Sequence, residues 1–255
     1  MVYTLNVPMR TLLLACIAVP LAAQWVHYPT PGIPRNQDGA PNLNAPTPRT
    51  AEGHPDFTGI WEAPSEKYLD NLGADGVEIP MQPWAAKLYQ QRLADNGKDR
   101  PSGRCLPHSV TDFDAHFMPK KLIQTPRVLA MLFESYHSFR EILTDGRPLP
   151  EQRDPAWFGY SVGHWEGDTL AVETVGINDK TWLDDGGHPH TDALHVTESF
   201  RRPDFGHMEV RLTIDDPKAY THPWTVTIPW VYVADTELLD WVCENEKDFQ
   251  HLVGK

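Results

Sequence analysis

The 255-residue chain carries 35 Asp and Glu against 22 Lys and Arg, a formal charge of −13. An acidic excess of that size repels nucleic acid and anionic lipid, and no Lys/Arg stripe offsets it, so neither is an expected partner. The phosphate-binding Gly loop, the G-x-S-x-G nucleophile elbow and the H-E-x-x-H metal helix are all missing from the sequence.

The chain begins MVYTLNVPMRTLLLACIAVPLAAQ, with Arg10 as the single charge, an apolar run from Leu12, and Leu21-Ala22-Ala23 ahead of Gln24. This is the three-part pattern of a secretory signal, expected over residues 1–23. The run is shorter than the roughly 20 apolar residues of a membrane span, and no second run suggests one. Met9 offers a more compact start than Met1. Cys16 superficially resembles a lipoprotein cleavage site, but the apolar run continues past it, as in a plain signal. The expected location is therefore the periplasm or the medium. Removing the signal takes Arg10 with it, so the mature chain carries −14. Cys105 and Cys243 remain, and in an oxidising compartment an even pair is most simply a disulfide, here tying an early loop to the last strand. Two free thiols or soft-metal ligands are the alternative.

Residues 24–54 are rich in Pro, Gly and Asn without apolar period, and read as an extended arm, disordered or laid along a domain surface. From Pro55 onward a single domain is expected, to residue 255. Pro83 to Leu93 is its one good helix, with Pro in the first turn, Trp84, Leu88 and Gln91 on a shared face, and Asn96-Gly97 to end it. From about Lys121 the period changes to two. Val128–Phe133 alternates apolar residues on both faces, and a second strand is expected over about 136–143. Phe158–Trp165 and Thr169–Val175 flank Glu166-Gly167-Asp168 as a hairpin. Leu194–Arg201 with His207–Ile214, and Trp224–Val233 with Glu237–Cys243, make two more. Some eight strands in sequential hairpins predict a mainly β chain: an antiparallel up-and-down β-barrel of calycin or lipocalin rhythm, with a β-sandwich as the alternative.

Candidate chemistry comes from polar residues where the strand pattern expects apolar ones. Glu198 shares a face with Leu194, Val196 and Phe200, so it points to the apolar side, where its charge is costly unless a cation or donors meet it. It is either a general acid/base or a metal ligand, or it is paired with Arg140 to fix strand register. The loop from Thr181 to Asp192 places His188 and His190 two apart, so that in an extended segment both rings can face one ion. Asp184, Asp192 or His195 would complete the set; caps on loop backbone are the other reading. In the 136–143 strand His137 shares a face with Phe139, and Tyr136 and Arg140 share the opposite one, so one side delivers ionisable groups to an interior with room for a small ligand. Trp224, Trp230 and Tyr232 share a face, as a ligand-lining aromatic wall or as core.

Cys105-Leu106-Pro107, Asp145-Gly146-Arg147-Pro148, Trp165-Glu166-Gly167-Asp168-Thr169-Leu170 and Gly187-His188-Pro189-His190-Thr191-Asp192-Ala193-Leu194-His195 with Glu198 together resemble a family of exported acidobacterial and proteobacterial proteins. The resemblance covers most of the chain from about Pro55. It implies export and the importance of those loops, and brings no activity with it.

The reading that results is an exported barrel that takes a small organic molecule inside and performs acid/base chemistry of the lyase, isomerase or hydrolase kind. Glu198, His137 and His195 are its catalytic candidates, and Tyr136, Arg140, Trp224 and Trp230 its substrate contacts. His188, His190 and Asp192 would hold a divalent transition metal if one takes part. A non-catalytic lipocalin-like binder is the rival.

Overall fold

The computed structural model describes residues 28–239 except Arg153, together with Trp241 and Cys243. The expected signal, at residues 1–23, lies outside the described residues. Among those described, no helix is long and apolar enough to cross a membrane.

The period-two segments wrap into a closed barrel, with strands β1 (Gly59–Glu62), β2 (Lys120–Gln124), β3 (Val128–Phe133), β4 (Phe139–Leu143), β5 (Tyr160–Glu166), β6 (Thr169–Val175), β7 (His195–Arg201), β8 (His207–Asp215) and β9 (Trp224–Tyr232). Each strand lies beside its sequence neighbour, and β1 closes on β9 through Trp61↔Tyr232 and Glu62↔Val231. Closure excludes the sandwich. The closing seam is tight: Gly59 has φ +138°, and a Cβ there would strike the Tyr232 ring, so the position needs glycine twice over.

Three expectations are corrected. The barrel is not antiparallel throughout: β4 and β5 run parallel, through just Ile142↔Ser161 and Leu143↔Val162. The long connection from 144 to 159 carries the chain back to the end where β4 began, as a parallel pair requires. The segment from Glu237 makes no hairpin with β9; Glu237–Leu239, Trp241 and Cys243 lie outside any strand, and β9 takes β1 as its partner. The helix expected at Pro83–Leu93 exists as α2 (Pro83–Ala94) but is not alone, since α1 (Lys67–Asp70) and α3 (Val110–Ala115) join it. Nor is its inner face the expected one. Trp84 is exposed while Ala85 is buried, because the Trp84 indole reaches sideways to donate to the Lys218 carbonyl, 2.8 Å.

Before β1 the arm runs over the barrel without regular structure. Arg35 and Thr30 meet Asp235, and Arg49 meets Asp168 at 2.7 Å. Backbone N–H groups of Phe205 and Gly206 donate to Ala45 and Leu43. The disulfide Cys105–Cys243 is formed, with Cα atoms 5.5 Å apart.

The inner faces of the strands are apolar, as alternation demands: Leu129 and Met131, Leu170 and Val172, Val196 and Phe200 are buried. Helix α3 plugs this interior. All six of its residues are buried, with Phe113 stacked against Phe133 and tilted against Phe158. Into the same space project three charges. Arg140 donates to both carboxylate oxygens of Glu198, one at 2.8 Å, and to the hydroxyls of Ser161 and Thr174. Lys120 donates to the His116 carbonyl and lies 4.4 Å from the Trp230 ring centre.

Burial holds Lys120 down at about 7, from an ordinary 10.5. Between those pH values the unfolded chain binds a proton that the folded one lacks. The penalty for burying its charge is therefore fully present below pH 7 and fades as pH rises from 7 towards 10.5. K120M removes this dependence: the urea midpoint of wild type should rise relative to that of K120M from pH 7 to 10. A wild-type midpoint that falls relative to K120M over that range would contradict this assignment.

Candidate functional site

The residues expected to act are dispersed. Glu198 does face the interior, but its carboxylate is held by Arg140 and also accepts from Thr174, 3.3 Å. Both partners are buried, so the pair is a structural tie between β4 and β7. His195 opens β7 on the outward parity, opposite to Val196 and Glu198, and lies 3.6 Å from Glu173 on the neighbouring strand. Tyr136 and His137 belong to a 3-10 turn before β4, not to the strand, so the expected sharing of one face by His137 and Phe139 and of the other by Tyr136 and Arg140 does not hold. Phe139 points outward while Arg140 points in. Trp224 and Trp230 are buried in the core, Trp230 donating to the Asp114 carbonyl at 2.7 Å.

The loop histidines are also separated. His188 is buried with Nδ1 2.6 Å from Asp184, stacked on Tyr89. His190 spends one ring nitrogen on the Thr181 hydroxyl, 2.7 Å, and the other on the Thr191 carbonyl, 3.1 Å. Asp192 is exposed and paired with Lys218. Each has its own partner, so the three do not converge. Asp184 acts as a loop cap, accepting from the backbone N–H of Leu72, Gly187 and His188.

What this capped loop does is present the next residue. Asp185 is set by its N–H on the Leu69 carbonyl, 2.7 Å. The following Gly186 packs so closely on the Asp70 carbonyl that a Cβ would collide with it. Helix α3 docks on the same loop. Ser109, its N-cap, accepts from the Asp112 N–H and donates to the Trp182 carbonyl at 2.9 Å. Thr111 donates to the Leu183 carbonyl at 2.7 Å. These bonds bring His108, Asp112 and Asp185 together, with one ligand atom from each within 4.8 Å of the others. His108 and Asp112 are buried, and the Asp185 side chain keeps 14 % of its exposure.

The electrostatics are unusual for so small a cluster. His108 Nδ1 lies 2.5 Å from Asp112 Oδ2, so the two form a buried pair. His108 Nε2 and Asp112 Oδ1 are buried without a hydrogen-bond partner. Buried polar atoms are nearly always paired, and an unpaired one costs about 1–3 kcal/mol. Arg100 and Ser102 donate to Asp185 at 2.8 and 3.2 Å. Burial, reinforced by Asp112, nevertheless pushes its carboxyl up to about 6. Burial likewise raises Asp112 and, with the positive field of His108 and Lys120, drives His116 down to about 2. Around the cluster stand rings: His108 meets Phe113, His116 and Tyr136 edge-on. Tyr136 donates to the Ser102 carbonyl and supports Trp241, which the disulfide brings to this end of the barrel. Burial lifts the Tyr136 hydroxyl to about 12, so it stays a proton donor at neutral pH.

Sequence reasoning missed His108 and Asp112 altogether and chose Asp184 over Asp185. A usable signal existed in Ser109-Val110-Thr111-Asp112, the beginning of a capped helix, with a histidine directly before it.

A second feature lies on the outer face of the barrel. Where β4 and β5 part, a cavity of about 430 Å³ lies between Phe139, Leu143, Pro148, Phe158, Tyr160 and Val162. Neither a family model nor a curated protein matches this chain.

Proposed function

We propose that this chain is an exported enzyme that performs acid/base chemistry on a small organic molecule, assisted by a divalent transition metal held by His108, Asp112 and Asp185. One observation carries the reading: a buried histidine paired through one ring nitrogen with Asp112 while its other nitrogen has no partner, beside a buried carboxylate oxygen that also has none, converging with a partly open carboxylate. One imidazole nitrogen and carboxylate oxygens suit zinc, manganese, iron or cobalt in the divalent state. Such an ion, when bound, supplies Lewis acidity towards a carbonyl or a water. The chain's own residues do the rest. Arg100 and Ser102 fix the Asp185 carboxylate, Tyr136 holds a proton beside His108, and the ring wall excludes water. The reaction classes that fit are hydrolysis, hydration or elimination, and isomerisation, none of which needs a nucleotide. Export is supported by the N-terminal sequence pattern and by the disulfide, a bond that persists in oxidising compartments.

Elemental analysis of the purified chain tests this directly. A transition ion should copurify near one per chain and be lost from H108A, while H188A and H190A keep it. A wild-type protein that stays free of metal after dialysis against zinc, manganese, iron and cobalt would sink the proposal.

A further inference from the structure

We infer that the cavity at the β4–β5 seam is the site for an uncharged, flat ring compound bearing a hydroxyl or carbonyl group. The inference rests on the small-molecule reading above for its purpose, though not for its geometry. At about 430 Å³ the cavity falls in the range of small-ligand pockets, roughly 300–1,000 Å³. It is a product of topology. The parallel junction pairs only Ile142 and Leu143 of β4, so no β5 residue pairs with Phe139, Arg140 or Glu141. The backbone along that stretch of β4 borders the cavity and offers hydrogen-bonding groups to an oxygen-bearing ligand.

The side chains specify the remainder. Phe139, Phe158 and Tyr160 supply ring faces, and Leu143, Val162 and Pro148 supply aliphatic ones. Phe139 is 65 % exposed and Tyr160 38 %, a costly display of aromatic surface that a flat apolar partner would cover. Charge argues for a neutral ligand. Arg140 is committed to Glu198, and Arg147, at the rim, is committed to Asp145 at 2.9 Å. Among the described residues an anion would find no uncommitted cation here, and the exposed carboxylate of Glu141 would oppose it. Packed rings lie between the cavity and the metal-type cluster. Phe158 packs on Phe113 at 5.1 Å between ring centres, and Phe113 on His108 at 5.0 Å.

The test is titration of the full chain with 2-naphthol at neutral pH, followed by calorimetry. Saturable binding of one molecule per chain is expected. F139S and Y160S, both at exposed positions, should each weaken it at least about tenfold. Naphthalene-2-carboxylate, the same ring with a charge, should bind at least about tenfold more weakly than 2-naphthol. H108A should bind as wild type does. Absence of saturable 2-naphthol binding would overturn the inference, as would affinity indifferent to F139S and Y160S or a preference for the carboxylate. Because H108A removes the metal cluster and leaves the seam intact, failure of the metal reading and failure of this one give different results.

Discussion

E198Q is expected to melt roughly 10 °C below wild type, a loss of about 3–5 kcal/mol. Arg140 and Glu198 are both buried, and the guanidinium meets both carboxylate oxygens. Neutralising Glu198 leaves a full positive charge inside the barrel, with the hydroxyls of Ser161 and Thr174 as its remaining hydrogen-bond partners and, nearby, the Asp114 carboxyl, which burial raises well above its ordinary range. Two hydroxyl dipoles do not replace a carboxylate in a medium of low dielectric. Total stability for such a domain is about 5–15 kcal/mol, so this single change removes a large share. R140M should be comparably damaging, since it strands Glu198 beside the buried Asp114. The double variant R140M/E198L should recover much of the loss, because no charge is then left unpaired. If E198Q melts within about 2 °C of wild type, a shift expected of a surface pair, the tie between β4 and β7 carries no weight.

Stripping metal should produce the second large effect. A ligand that binds only the folded state at about 100 times its Kd stabilises by about 2.7 kcal/mol, roughly 5–10 °C in melting temperature for a domain of this size. Chelator should lower the wild-type midpoint by that amount, and zinc or manganese should restore it. H108A and D112N should show no shift in either direction. H188A and H190A should keep the shift, although both lose stability because each ring has a buried partner, Asp184 and Thr181. A shift that survives H108A but disappears in H190A would move the metal to the loop histidines that the sequence pattern first suggests.

The sequence speaks clearly where a local rule governs and poorly where distant contacts decide. The hairpin at Glu166-Gly167-Asp168 is legible because Gly167, at φ +62°, sits in the tight turn between two alternating runs, though the strand runs one residue further than expected and Glu166 pairs with Thr169. β7 and β8 follow their alternation almost to the residue. Glu198 is placed inward correctly by parity alone, and Arg140 is already a candidate partner. The parallel junction is not legible, since nothing in Phe139–Leu143 says which way its next neighbour runs. Glu237–Cys243 has strand-like composition, but β9 takes β1 instead, a choice made by residues far away in sequence. The His108 cluster is hidden for a similar reason. It unites a short helix and a loop that lie far apart in the chain, through hydroxyl-to-carbonyl bonds from Ser109 and Thr111 that leave no periodicity behind. His188 and His190 are conspicuous by spacing, and their rings are consumed by neighbours that spacing does not reveal.

The closure of β1 on β9 also has a consequence in time. The first strand of the barrel is synthesised early and its partner last, so every shorter chain has two open sheet edges. The arm is in the same position, since Thr30 and Arg35 await Asp235. Such long-range pairing places folding towards the slow end, roughly milliseconds to seconds, and makes it nearly all-or-none. Loss of β9 should therefore cost the whole barrel, not one strand of it. A chain built this way is best delivered unfolded and complete to the place where it folds, with its edges shielded until the ends meet.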